Sequence, residues 1–377
     1  MGGKGRKVVV AVAVIVIVAV LLLTPAVQGL LYSIFISPFQ KTVPKYVDYR
    51  LERDLTVSAG GGELVNFTIE IAVPSNLTAG DEELQTVISS SFSPNATFHY
   101  QKYDDQWSTW EHGVLSGSEQ FQVRVVYDIR VETKVWNIGR SDSLDLSAVP
   151  QSLKEHYLGN EWKIVVDEPP IQTTSAAIVK NESNVYQILA DINRWMLSNV
   201  RYPAVPNESP QSSVETLSSK VGDCDDQAFL FCALARAAGV PAWVQLGALY
   251  SSSEDSWGGH GWVQTYVPLK SGGGDYVVID TVNRDFLLWR PNRLAEFTAD
   301  GNGEHLSDYY YCFVYTAERG TYSPGHKPSF EEAYTSLEVK ESSEKVVIGS
   351  WLFTATSVQV EAIVADQRAL KCSGFDS

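Results

Sequence analysis

The chain has 377 residues, of which 44% are apolar and 11% aromatic, and its formal net charge is −16. That much apolar side chain supports real hydrophobic cores and excludes a wholly disordered protein, and the length leaves room for two or three domains. Nucleic-acid binding needs a basic footprint, which is missing, so no nucleic-acid partner is expected.

Lys4, Arg6 and Lys7 precede a run from Val8 to Gln40 without a charged side chain. A bilayer span takes roughly 20 apolar residues, and Val8 to Ile36 exceeds that. Basic residues stay on the cytoplasmic side. The run therefore predicts a transmembrane helix that anchors a single-pass protein in the lipid bilayer through residues 8–36, with the N-terminus cytoplasmic and the body extracellular. The rival is a signal peptide cleaved near Ala26 to Gly29, giving a secreted form. Sequons at Asn66, Asn76, Asn95, Asn181 and Asn207 are candidate glycosylation sites and agree with export. Four cysteines, Cys224, Cys232, Cys312 and Cys372, are too few for a disulfide scaffold. Their redox state is open, with a Cys312–Cys372 bridge one arrangement.

Residues 46–136 read as β structure. Tyr49–Val57, Val65–Val73 and Phe121–Val131 alternate apolar with polar residues, the mark of half-buried strands. Gly60-Gly61-Gly62 supplies a turn. These strands predict an antiparallel β-sandwich. Helical spacing then appears over Val185–Val200, where Val185, Ile188, Leu189, Ile192, Trp195, Met196 and Val200 share one side. Pro203, Pro206 and Pro210 mark a loop, and a second helix is expected from Cys224 to Ala238. Strands return over 242–250, 261–267 and 276–282. A helix feeding an antiparallel sheet gives an α+β class. Tyr309–Thr316 and Lys345–Val364 are further candidate strands that could pack back on the β domain.

The second helix carries the chemistry. Asp223 suits its N-cap and Asp226 its capping box, while Gly239 followed by Pro241 ends it. Ala228–Ala235 is apolar all round, which predicts a buried helix. Cys224 then lies in the first turn, where free N–H groups and the positive dipole end favour a thiolate and could hold an oxyanion. Asp223, Asp225 and Asp226 oppose that effect, so a neighbouring imidazole is needed to bring Cys224 below the ordinary thiol value of about 8.5. Of six histidines, His99, His112, His156, His260, His305 and His326, only His260 has a supporting setting. It opens a strand, His260 to Val267, among small residues. The next strand, Tyr276–Asp280, follows a loop containing Gly272-Gly273-Gly274. Pairing symmetric about residue 270 would set Asp280 opposite His260, with Cβ atoms roughly 5 Å apart, and Asp280 could then orient the ring.

Gly222-Asp223-Cys224-Asp225, the helix ending Arg236-Ala-Ala-Gly-Val-Pro-Ala242, His260-Gly-Trp262 and Ile279-Asp280-Thr281 together resemble the transglutaminase-like (papain-like) superfamily over roughly residues 180–300. Gly261 stands where the family usually has Ala. The resemblance implies Cys224 as nucleophile, His260 as general base and acid, and Asp280 as orienter, working through a thioester acyl-enzyme. In relatives a side chain N-terminal to the Cys can complete the oxyanion hole; Tyr202 and Trp195 are candidates here. The implied function is a cysteine peptidase or amidase acting on polypeptide. The alternatives are a cross-linking transglutaminase and a non-catalytic binding module on the same fold. No EF-hand, P-loop, zinc or dinucleotide motif occurs, so no metal or cofactor is expected; calcium at Asp223–Asp226 is less economical than helix capping. The expected domains are 1–40 basic tip and anchor, 41–165 β-sandwich, 166–304 transglutaminase-like domain and 305–377 β-rich extension.

Overall fold

The computed structural model describes residue 24 and residues 41–205, 209–317, 328–348 and 374–376. It separates into two compact units, one of residues 1–43 with 345–357 and one of residues 44–344 with 358–377. The strands begin with β1 (Lys41–Pro44), β2 (Tyr46–Ser58), β3 (Glu63–Val73), β4 (Leu77–Ala79), β5 (Glu82–Ser93), β6 (Phe98–Lys102), β7 (Asp105–Ser116), β8 (Gln120–Glu132) and β9 (Lys134–Val135). Along β2, Tyr49, Leu51, Leu55 and Val57 turn inward, and along β8 Val123, Val125, Ile129 and Val131 do the same. Alternation at period two thus becomes a buried face, each fully buried Leu or Val contributing about 1.5–3 kcal/mol at most.

Five helices follow: α1 (Gln151–Tyr157), α2 (Pro169–Val179), α3 (Val185–Asn199), α4 (Ser213–Ser219) and α5 (Cys224–Ala237). The α3 stripe is buried at Val185, Ile188, Leu189, Ile192 and Met196, as its spacing predicts. After α5 come β10 (Ala242–Ser251), β11 (Ser256–Pro268), β12 (Gly274–Asp280), β13 (Asp285–Phe286), β14 (Leu288–Trp289) and β15 (Arg293–Thr298). They include a five-stranded antiparallel sheet in the order β13-β12-β11-β10-β15. Helix α5 lies between this sheet, at β10 and β11, and helices α2, α3 and α4, which is why it is apolar on every side.

The C-terminal strands complete the sandwich. β16 (Phe313–Ala317) pairs with β3, and β17 (Ser329–Glu341) pairs with β2 along its whole length. The two sandwich sheets run β19-β16-β3-β7-β6 and β17-β2-β8-β5-β4, where β19 is Gly374–Asp376. In the other unit, β1 pairs with β18 (Lys345–Ile348).

One expectation is corrected. The described helices run from 7 to 15 residues, short of the roughly 20 apolar residues a bilayer requires. No helix among the described residues is long and apolar enough to cross a membrane. The run over residues 8–36 lies, apart from Thr24, outside the described residues. Among the described residues the architecture is a sheet-rich α+β fold with no transmembrane helix, and the single-pass location and bilayer contact inferred from the predicted helix find no support there.

Candidate active site

Asp223 caps α5, and Asp226 closes the capping box by accepting the Asp223 N–H on Oδ2 at 3.2 Å. Asp225 Oδ1 accepts the Asp226 N–H at 2.8 Å, and its Oδ2 accepts the Tyr310 hydroxyl at 2.9 Å. Between these groups Cys224 sits in the first turn, 5% exposed. The backbone N–H of Gly261, the peptide after His260, donates to its sulfur. Gly261 permits this approach: a methyl there would meet Leu246 Cδ2 at 3.0 Å and Asp225 Cα at 3.4 Å.

The thiol does not titrate low as the sequence suggests. Burial first, then the charges of Asp225 and Asp223, push Cys224 well above its ordinary value, and the Gly261 N–H opposes them only in part. Asp223 is raised too, by burial and by its carboxylate neighbours. Desolvation disfavours the anionic forms of Asp223, Cys224 and Asp226, and the N-terminal donors do not outweigh it.

His260 Nε2 and Asp280 Oδ2 lie 2.7 Å apart, both side chains buried. The hairpin brings them together with a shifted register. Val263 faces Ile279 and Pro268 faces Gly274, so continuing the ladder sets Trp262 rather than His260 opposite Asp280. A shift of two residues keeps the same face, and the imidazole reaches Asp280 diagonally. Opposite His260 on the other side stands Gly247, whose Cβ would fall 2.0 Å from the Leu294 carbonyl oxygen.

Three groups that the sequence does not single out hold Asp280. Its Oδ1 accepts the Asn283 backbone N–H at 3.1 Å, and its Oδ2 accepts Asn283 Nδ2 at 2.8 Å. Arg293 Nη1 lies 3.0 Å from the same Oδ2, while Arg293 Nη2 donates to Asp285 Oδ2 at 2.7 Å. Burial alone would raise Asp280, but the charges of His260 and Arg293 and the hydrogen bonds outweigh it and hold the carboxyl well below the usual range. Asn283, three residues past Asp280, carries the signal of an Asx turn. Arg293 and Tyr310 carry no local signal, because they arrive from β15 and from the short helical turn His305–Tyr309 with the residue after it.

The two oxyanion candidates part company. The Tyr202 hydroxyl is buried without a hydrogen-bond partner among the described residues. Burial and then the charges of Cys224 and Asp223 push its pKa up, so it faces the α5 N-terminus. Trp195 instead lies under the Lys220 ammonium, 4.3 Å from its ring, and lines a surface cleft of about 970 Å³ with Arg194 and Asn199. Among the other histidines, His99 pairs with Ser108, His112 stacks on Phe67, His156 packs on Tyr157 and His305 pairs with Asp300; His326 lies outside the described residues. Cys232 is a free buried thiol like Cys224, whereas Cys312 is disulfide-bonded and Cys372 lies outside the described residues. Asn66, Asn76, Asn95 and Asn181 are exposed, and Asn207 lies outside the described residues. Asp223, Cys224 and Asp225 present ligand atoms within 4.8 Å of one another, but both Asp225 oxygens already accept protein hydrogen bonds.

Residues 172–281 match the family model of the transglutaminase-like superfamily, so the chain carries a domain of that superfamily. A solved structure from Cytophaga hutchinsonii, described as a candidate cysteine protease, is 14% identical and aligns over 88% of this chain and 98% of its own, with a TM-score of 0.54; the two share a fold. Also similar are the periplasmic domain of TgpA from Pseudomonas aeruginosa bound to ethylmercury (13% identity, 64% of this chain and 90% of that one, TM-score 0.32) and the red sea bream transglutaminase (15% identity, 65% and 46%, TM-score 0.28). No curated protein matches the chain.

Proposed function

We propose that the transglutaminase-like domain is an exported thiol hydrolase that cleaves amide bonds of polypeptides through a Cys224 thioester. The buried 2.7 Å contact of His260 with Asp280 carries the reading, together with the Cys224 sulfur seated on the N–H of the very next peptide. With Nε2 donating to Asp280, Nδ1 is the ring atom free to accept a proton. The raised thiol favours a neutral resting pair over a preformed thiolate. His260 takes the thiol proton as sulfur attacks the carbonyl carbon, so charge passes to the carbonyl oxygen and never rests on the thiol. The unpartnered Tyr202 hydroxyl and the N–H groups opening α5 stabilise that oxyanion. The tetrahedral species then collapses: the C–N bond breaks, the amine leaves with the proton from His260, and the acyl group stays on sulfur. Water, activated by His260, releases the acid and restores the thiol.

The disulfide-bonded Cys312 supports an oxidising compartment. Water is the acceptor always present there, which favours hydrolysis over transfer to an amine. The test uses the full chain with iodoacetamide, a fluorescent casein and a fluorescent primary amine. The reading expects fast Cys224 alkylation that depends on His260, casein cleavage lost in Cys224→Ala, and little amine incorporation. Alkylation of Cys224 no faster than that of Cys232 would sink it; amine incorporation exceeding cleavage would replace hydrolysis with cross-linking.

A further inference from the structure

Arg293 is 0% exposed on β15, outside the residues that match the family model. Its guanidinium carbon lies 5.5 Å from the Trp262 ring centre and 5.9 Å from that of Trp289, so two indoles cover it. Only Nη2 makes a good hydrogen bond, to Asp285 Oδ2 at 2.7 Å. Nε and Nη1 have no hydrogen-bond partner among the described residues, although Nη1 stands 3.0 Å from Asp280 Oδ2. A buried guanidinium normally has its donors satisfied, since desolvating the charge costs several kcal/mol. Cation–π contact offsets part of that cost. A hydrophobic residue of similar volume would serve packing at least as well, so stability alone does not account for a half-satisfied cation here.

What the cation does is set the charge and direction of one carboxylate. We propose that Arg293 is a positioning residue, which ties Asp280 to Asp285 from behind and fixes the Asp280 carboxylate against His260. The role presupposes that Cys224, His260 and Asp280 work as described above. With Asn283 on its flank and Arg293 behind, Asp280 stays ionised when the imidazole is neutral, so the proton moves between sulfur and ring without reaching the carboxylate. The charged and titratable groups around Asp280 are His260 on β11, Cys224 and then Asp225 on α5, Asp285 on β13, Arg290 after β14 and Arg293 itself. Arg290 pairs with Asp285 through Nη2, so Asp285 divides its charge between two arginines and leaves part of the Arg293 field for Asp280.

The discriminating variants are Arg293→Met, Arg293→Lys and Asp285→Asn. The Asp280 carboxyl is followed by ¹³C NMR in aspartate-labelled protein, and kcat/KM is followed against pH on fluorescent casein. Arg293→Met moves Asp280 protonation and the acid limb of kcat/KM to higher pH, because the pair then holds its proton more tightly, and lowers kcat about tenfold or more at neutral pH. Arg293→Lys keeps the charge and stays near wild type in both titrations. Asp285→Asn moves both the opposite way, since Arg293 then serves Asp280 alone, and it carries the test with Arg293→Lys if Arg293→Met does not fold. Unmoved Asp280 titration in all three variants overturns the inference, as does Arg293→Lys matching Arg293→Met at every pH. The carboxyl signal needs no turnover, so a protein that cleaves nothing but shows these shifts refutes the enzyme reading and leaves the Arg293–Asp280 coupling standing.

Discussion

Two thiols on one helix show what burial does and what it leaves undone. Cys224 opens α5 and Cys232 lies about two turns further in; both are buried and both are free. Burial pushes Cys232 up to about 12, and it pushes Cys224 up as well. A pKa alone would rank neither as reactive. The difference lies in what surrounds the sulfur. Cys232 is enclosed within the apolar core, whereas Cys224 has the Gly261 N–H, the His260–Asp280 pair on the adjoining strands, and the unpartnered Tyr202 hydroxyl. The lesson is that the helix start supplies position, and the strands supply the base.

Removing the sulfurs breaks the comparison most sharply. Cys224→Ala should abolish casein cleavage, a loss on the order of 10⁴-fold or more. Cys232→Ala should keep kcat/KM within about twofold and cost about 1 kcal/mol in denaturant unfolding, as small core truncations do. Comparable losses of activity in both would make α5 a packing element and Cys224 an ordinary core thiol. Next in size is His260→Ala. It should lower kcat/KM by about 10²–10⁴-fold and bring iodoacetamide labelling of Cys224 down to the rate of Cys232; unchanged labelling would mean the ring does not serve the sulfur.

Tyr202→Phe sharpens the comparison at the substrate side. Loss of one oxyanion donor should cost about 10²-fold in kcat. The same change deletes a buried hydroxyl that has no partner, so thermal stability should hold or rise. A fall in Tm with unchanged kcat would assign Tyr202 to packing.

The sequence is most legible where structure is local. Alternation along 49–57 and 121–131, the α3 stripe and the Asp223–Gly239 bracket around α5 each follow from short-range periodicity or capping, and each appears where expected. The His260–Asp280 face is legible for a related reason: side chains alternate along strands, so a register error of two residues leaves both on one face. What escapes are contacts between elements distant in sequence. Arg293 reaches Asp280 from β15, and Tyr310 reaches Asp225 from a turn that no strand or helix pattern links to α5. Buried charge is equally opaque. Arg53 occupies an inward position of β2 and reads as a polar interruption, yet it is held by Glu332, Glu296 and the Ala72 carbonyl. The apolar run over residues 8–36 predicts a spanning helix that the described residues do not supply.

The smallest expected effect tests the carboxylates that set the two thiols apart. Asn caps a helix about as well as Asp, so Asp223→Asn should leave α5 intact, and it replaces a carboxyl whose pKa burial pushes up to about 10. Alkylation of Cys224 at neutral pH should therefore stay within about twofold of wild type, and that of Cys232 should not change. Stability carries an independent reading. The folded Asp223 carboxyl holds its proton to higher pH than it does unfolded, so the folded chain binds more protons above the ordinary aspartate value of about 4. Stability therefore falls as pH rises through that window, by up to about 1.4 kcal/mol per unit for one proton, and no such slope remains once the group is an amide. Between pH 5 and pH 7, as arbitrary working limits within about that window, wild type should lose more unfolding free energy than Asp223→Asn. Equal slopes, with Cys224 alkylation quickened in the variant, would mean that Asp223 is ionised in the wild type, and that the first turn of α5 is less closed than its burial indicates.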